Sequence, residues 1–159
     1  MKNKVLSLED LPAWRKARKA EGKKIVATNG CFDILHVGHL RYMQQARALG
    51  DLLVVGLNSD QSVRSLKGPE RPLNNEDERA EMLAGLEAVD LVTVFNDMRA
   101  THFLEIVQPD IYVKGGDYKP EQLNQEEMQA VKNGGGEIKI LPLVPGRSTS
   151  SLIQKIQKL

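Results

Sequence analysis

Apolar runs and amphipathic stretches alternate along this chain. Segments rich in Val, Ile and Leu at 24–28, 51–58, 89–95, 110–114 and 137–143 have the length and composition of strands. The stretch "DLLVVGLN" at 51–58 is apolar almost throughout, as expected of a strand covered on both faces. Between the strands, the pattern predicts helices over 37–50, 74–86, about 99–107 and about 120–133. A last helix runs from "STSS" at 148–151 to the C-terminus. Gly50 closes the first of these, an Asn cap followed by acids opens the second, and Gly134, Gly135 and Gly136 stop the fourth. The first twenty residues predict one more amphipathic helix, with Leu8, Leu11 and Trp14 as its docking face.

Five strands separated by helices imply right-handed crossovers. The expected fold is therefore α/β: a Rossmann-like, doubly wound, five-stranded parallel sheet with helices on both faces, plus the N-terminal helix. One domain is expected over 1–159, with 1–22 a helical extension of a core at 23–159. Such sheets bind ligands at the C-terminal edge of their strands, near the switch point, and the unusual clusters of this sequence fall on that edge.

Composition narrows the partners. Lys and Arg number 22 against 21 acids, which argues against a nucleic-acid binder relying on a broad basic surface. A small anionic substrate needs only a few local cations. No apolar run is long enough to span a bilayer, and the N-terminus lacks the apolar core of a signal peptide. With Cys31 the sole cysteine, no intrachain disulfide forms and a reducing cytoplasm is expected. Three histidines and one cysteine argue against a structural zinc site.

Four clusters carry candidate chemistry. In "HVGH", His36 and His39 share the first turn of a helix, and Gly38 leaves the backbone bare for a bulky anion. Free N–H groups and the helix dipole favour phosphate there. A metal pair or two surface imidazoles remain open on the residues alone. In "GRSTSS", Arg147 precedes Ser148, Thr149, Ser150 and Ser151 at a second helix start, which reads as an anion site or as ordinary capping. The segment 62–79 places Arg64, Lys67, Arg71 and Arg79 among Gly and Pro, either a solvated face or a shaped loop able to cover a ligand. "YVKGGDY" puts Lys114, Gly115 and Asp117 where a strand ends, as a simple turn or as a reader of a polar substrate.

"GCFDILHVGH", "KGPERP", "YVKGGDY" and "GRSTSSLI", in this order, resemble the HxGH nucleotidyltransferase superfamily, and within it the adenylyltransferases of the ADP-heptose pathway of lipopolysaccharide inner-core synthesis. The resemblance implies transfer of AMP from ATP, with Mg²⁺ held mainly by the phosphates, to D-glycero-β-D-manno-heptose 1-phosphate. It implies His36, His39 and Lys67 as catalytic groups. Asn29, Gly30, Cys31, Phe32, Gly38, Arg79, Arg147, Ser148, Thr149 and Ser150 are then expected to bind nucleotide. Asp33, Asn58, Arg71, Lys114, Gly115 and Asp117 are expected to face the sugar phosphate. It further implies a homodimer. With no kinase sequence beside these residues, the chain is expected to be a stand-alone enzyme or an excised half of a fused one. Met1 and the extra N-terminal helix favour the stand-alone form, fed by a separate heptose kinase. No nucleic acid or membrane partner is expected.

The nucleophile in such a transfer is already an anion, so no general base is required. The imidazoles are expected to act as donors and cations where negative charge grows. Cys31 has no covalent role on this scheme, and His102 reads as a surface residue. Two other readings stay open: a cytidylyltransferase acting on glycerol 3-phosphate or a similar small phosphate, and a non-catalytic nucleotide sensor.

Overall fold

The computed structural model describes residues 3–116 and 119–159. Its strands are β1 (Ile25–Gly30), β2 (Leu52–Asn58), β3 (Leu91–Phe95), β4 (Ile111–Gly115) and β5 (Glu137–Leu141). They form one parallel sheet in the order β3-β2-β1-β4-β5. The chain steps outward from β1 to β3 and then returns to the other side of β1. The switch point therefore lies between β1 and β4, where a doubly wound sheet opens its binding crevice.

Helices cover both faces. Alternate residues of β1 separate two cores: Ile25 and Ala27 pack with Leu11, Phe103, Leu104, Tyr112 and Val131, while Val26 packs with Met43, Ala46, Leu83 and Val113. The first layer holds α1 (Leu11–Ala20), α5 (Thr101–Val107) and α6 (Gln125–Asn133); the second holds α2 (Val37–Arg47) and α4 (Glu76–Ala84). Leu11 is fully buried, with Leu8 and Trp14 packed beside it, as the sequence predicts. Removing that one side chain from water stabilises the attachment of α1 by about 1.5–3 kcal/mol.

Two elements depart from the sequence reading. Within the expected loop at 62–79 stands a short helix, α3 (Asp60–Lys67), capped by the Ser59 side chain and holding Ser62 and Val63 inward. Eight residues with few apolar positions give too weak a periodic signal to read. Among the described residues of the first twenty, helix is confined to α1. Before it, the chain runs extended along the edge strand, with Leu6 N–H donating to Val92 O at 2.9 Å and Val92 N–H to Lys4 O at 2.7 Å. That segment covers an otherwise open sheet edge. The final helix is α7 (Thr149–Gln157). Among the described residues, no helix is long and apolar enough to cross a membrane.

Candidate active site

The turn after β1 runs Gly30–Cys31–Phe32–Asp33 and delivers the chain to α2. Phe32 takes a left-handed backbone, φ 46°, which an L-residue with a bulky ring adopts only when its surroundings enforce it. Its ring meets the His39 imidazole edge-on, centroids 5.5 Å apart.

His36 and His39 stack at 3.9 Å, and both are integral to the helix start. His36 is the N-cap: its Nδ1 accepts the Gly38 N–H at 3.1 Å, while His39 Nδ1 accepts the His36 N–H at 3.3 Å. With both Nδ1 atoms accepting, the proton of each neutral ring resides on Nε2. Burial, then the neighbouring charges of His36 and Lys67, push the His39 pKa down to about 4. Burial and Arg147 lower that of His36. The rings are therefore neutral Nε2–H donors at pH 7 in the unliganded protein. Burial first, and then the facing imidazole, Lys67 and Arg147, disfavour positive charge on the pair before a ligand arrives.

A cavity of about 350 Å³ opens at this point, lined by both histidines. Arg147, Ser148, Thr149 and Ser150, more than a hundred residues away in sequence, form its facing wall, and Lys67 reaches it from the end of α3. Of the other expected residues, Asn29, Phe32, Gly38 and Gly115 also line it, whereas Gly30 and Cys31 do not. Gly38 is needed for this approach: a Cβ would come within 2.8 Å of His36 Cε1 and 3.3 Å of Arg147 Cβ. The two walls are tied directly, Thr149 Oγ1 donating to Ile34 O at 3.0 Å. Ser148 caps α7 by accepting the Ser151 N–H at 3.0 Å. Two helix N-termini and two cations thus converge on one space, an arrangement built for a polyanion.

Other expected site residues turn inward. Arg79 is 1 % exposed and donates to Cys31 O, Asn58 O, Asn74 O and Asp60 Oδ1 at 2.7–2.9 Å, which leaves it no free face for a nucleotide. Asn58 is buried with it and donates to Ser62 Oγ. The Asp33 carboxylate accepts from Arg71 Nε and from the Leu73 and Asn74 backbone N–H groups. Burial alone would raise that carboxyl; the backbone N–H groups and Arg71 outweigh it and hold it below its ordinary value. Asp33 and Arg71 therefore clamp the strap that follows Lys67, with Arg71 using only its Nε for this and its buried Nη2 finding no partner among the described residues. Cys31 contributes its carbonyl to Arg79, and burial pushes its thiol pKa up. Lys114 points to the opposite face of the sheet and pairs with Glu127 Oε2 at 3.5 Å. Asp117 lies outside the described residues.

Sequence reasoning missed Tyr42, Leu143 and Val144, which also line the cavity. Only Tyr42 carried a signal, standing three residues beyond His39 on one helix face. A larger groove of about 810 Å³ lies behind the same turn against α4, but its charged groups are Asp33, Glu78, Glu81 and the occupied Arg79, a poor setting for phosphate. Among the described residues, no group of three or more His, Cys, Asp or Glu side chains could hold a metal ion.

Comparison with known proteins agrees with this geometry. The family described as cytidylyltransferase-like matches residues 27–155. The chain is 51% identical over 154 residues to the "Bifunctional protein HldE" of Geotalea uraniireducens, and 48% identical to that of Syntrophotalea carbinolica. Each alignment covers 97% of this chain and 31% of the relative, so the chain spans under a third of those proteins. Among solved structures, a lipopolysaccharide core biosynthesis protein from Thermoplasma volcanium is 29% identical with a TM-score of 0.63, covering 77% of this chain and 98% of that one. A pantoate-β-alanine ligase from Francisella tularensis, 17% identical with a TM-score of 0.64, covering 95% of this chain and 72% of that one, shares the fold. A paired-histidine helix start facing a hydroxyl-rich one, across a parallel sheet matched over nearly its whole length, places this chain in the cytidylyltransferase-like family of HxGH nucleotidyltransferases.

Proposed function

We propose that the protein transfers AMP from ATP to D-glycero-β-D-manno-heptose 1-phosphate, releasing pyrophosphate and forming ADP-heptose. The observation that carries nucleotidyl transfer is the convergence of His36, His39, Lys67, Arg147 and Ser148–Ser150 on one cavity. The heptose reading rests on the resemblance of the four motifs and on the names of the relatives.

The sugar phosphate supplies an anionic oxygen that attacks the α-phosphorus of ATP. The bond from that phosphorus to the β-bridging oxygen breaks, and the electron pair leaves with pyrophosphate. No proton has to move for this to happen. What the protein must overcome is the repulsion of two polyanions and the charge that builds on the phosphoryl oxygens. Lys67 and Arg147 supply positive charge, while the Nε2–H groups of His36 and His39 and the N-termini of α2 and α7 supply preorganised donors. A Mg²⁺ ion carried on the ATP phosphates would neutralise part of their charge, and what the protein itself contributes is the set of donors and cations just named. On the same reading the enzyme is a cytoplasmic homodimer, and a kinase makes its sugar 1-phosphate.

The test is incubation with heptose 1-phosphate and Mg²⁺ plus ATP or CTP in parallel, following pyrophosphate and identifying the product by mass. ADP-heptose from ATP is expected. Turnover only with CTP and glycerol 3-phosphate would make it a cytidylyltransferase, and nucleotide binding without pyrophosphate across a sugar-phosphate panel would make it a sensor.

A further inference from the structure

The seam between β1 and β4 is unlike the others. Strand β1 pairs with β2 along its whole length, from Ile25–Leu52 to Gly30–Leu57, and β4 pairs with β5 from Ile111–Glu137 to Gly115–Leu141. The β1–β4 ladder runs from Val26–Ile111 to Ala27–Tyr112 and stops. Beyond it the two strands part, and the cavity sits directly above. Backbone groups past that point need other partners.

Side chains take over on each face of the parting. On one face, the Tyr112 hydroxyl meets Asn29 Oδ1. On the other, the Tyr42 hydroxyl lies 2.7 Å from Thr28 Oγ1 and donates to Val113 O at 3.1 Å, with Thr28 Oγ1 itself 2.9 Å from Val113 O. With the Thr28 proton on Tyr42 Oη, the Tyr42 proton falls to Val113 O, and every group is satisfied. The Tyr42 hydroxyl thus joins α2 to both separating strands. Its ring is wedged as well, since a Cβ added at Gly115 would stand 3.1 Å from Tyr42 Cε2. One helical turn earlier on the same face stands His39.

We propose that Tyr42 is a positioning residue for nucleotidyl transfer: its hydroxyl, shared with Thr28 and Val113 O, sets how far β1 and β4 part and holds α2 so that His39 Nε2 meets the reacting phosphate. The proposal rests on the reading of the cavity as a nucleotidyltransferase site. Burial pushes the Tyr42 pKa up to about 12 against the opposing Thr28 hydrogen bond, so the hydroxyl stays protonated across the working range.

Tyr42→Phe keeps the ring and removes the hydroxyl. The expected result is a kcat lowered about 3- to 10-fold, the rate equivalent of one neutral hydrogen bond, with little change in KM for ATP. Thr28→Val, which breaks the same network from β1, should act alike, and the double variant should be no slower than either single one. In a His39→Ala background, Tyr42→Phe should have no further effect on kcat. An unchanged kcat in both folded single variants, or an equal loss with and without His39, overturns the proposal. So does loss of the folded state in both variants, which would make the network purely structural. The imidazole ¹⁵N signals of His39 in the ligand-free protein give a readout independent of substrate: Tyr42→Phe should shift them, and unchanged signals refute the coupling. If the wild-type protein yields no product, the functional reading fails, while the His39 signals still judge Tyr42.

Discussion

The two walls of the cradle use one physical idea in opposite settings. Helix α2 presents its N-terminus from inside the molecule: it buries Gly38, Met43 and Ala46, and its cap is made by the site histidines themselves. Helix α7 presents an N-terminus of the same kind, yet it buries no residue and is tied across by Thr149. The α2 wall is thus part of the scaffold, and its geometry is set before any ligand arrives. The α7 wall draws little on the core. Damage to the first should register in folding or chemistry, and damage to the second in ligand affinity with the fold unmoved.

The largest effect should follow from breaking the support beneath α2. Arg79→Ala removes a buried guanidinium and strands Asp60 with three carbonyls, a loss of about 3–5 kcal/mol. Urea unfolding measures it, and stability within about 1 kcal/mol of wild type, the level of ordinary substitutions, would show that the site does not depend on this arginine. Next comes His39→Ala, expected to lower kcat ~10²–10³-fold, as for loss of one preorganised donor, with a much smaller change in ATP affinity. An unaltered kcat would remove His39 from the chemistry.

On the α7 side, Ser148→Ala deletes a cap worth about 1 kcal/mol. Because α7 is not anchored in the core, amide exchange within α7 should quicken and ATP should bind several-fold more weakly while the thermal midpoint holds. A clear drop in the midpoint would mean α7 folds as one unit with the sheet, and the contrast between the walls would vanish. The last test is one of acid rather than of substitution. In the fold His39 titrates at about 4, whereas its ordinary value is 6.5, so the unfolded chain binds the extra proton first. Its contribution to stability is full above about pH 6.5 and is lost as the pH falls toward 4. The wild-type midpoint should therefore decline more across that window than the midpoint of His39→Asn, and parallel declines would place the acid sensitivity elsewhere.

Some of this was legible without coordinates, for identifiable reasons. The strands and main helices announced themselves because the parallel strands are apolar on both faces and the helices carry caps and glycine stops. "HVGH" and "GRSTSS" stood out because two imidazoles across a bare glycine and four consecutive hydroxyls are more than a single helix cap needs. Asp33 and Arg79 were misjudged. Charged residues near a binding loop look alike in sequence whether they face the ligand or one another, and only burial tells them apart. The protonation of the histidines was hidden for a similar reason, since it depends first on their burial and then on two backbone N–H groups and on cations brought from 67 and 147.

What the chain order alone determined is the parallel sheet, the crevice at its switch point and the presence of two anion-seeking helix starts. These follow from periodicity and local backbone chemistry, which act over a few residues. The tertiary structure alone decided that the two starts face each other, that Arg79 looks inward, and that Tyr42 bridges strands which have stopped pairing. Each of those depends on groups far apart in sequence competing for the same donors, acceptors and space, and that competition is settled only when the chain is folded.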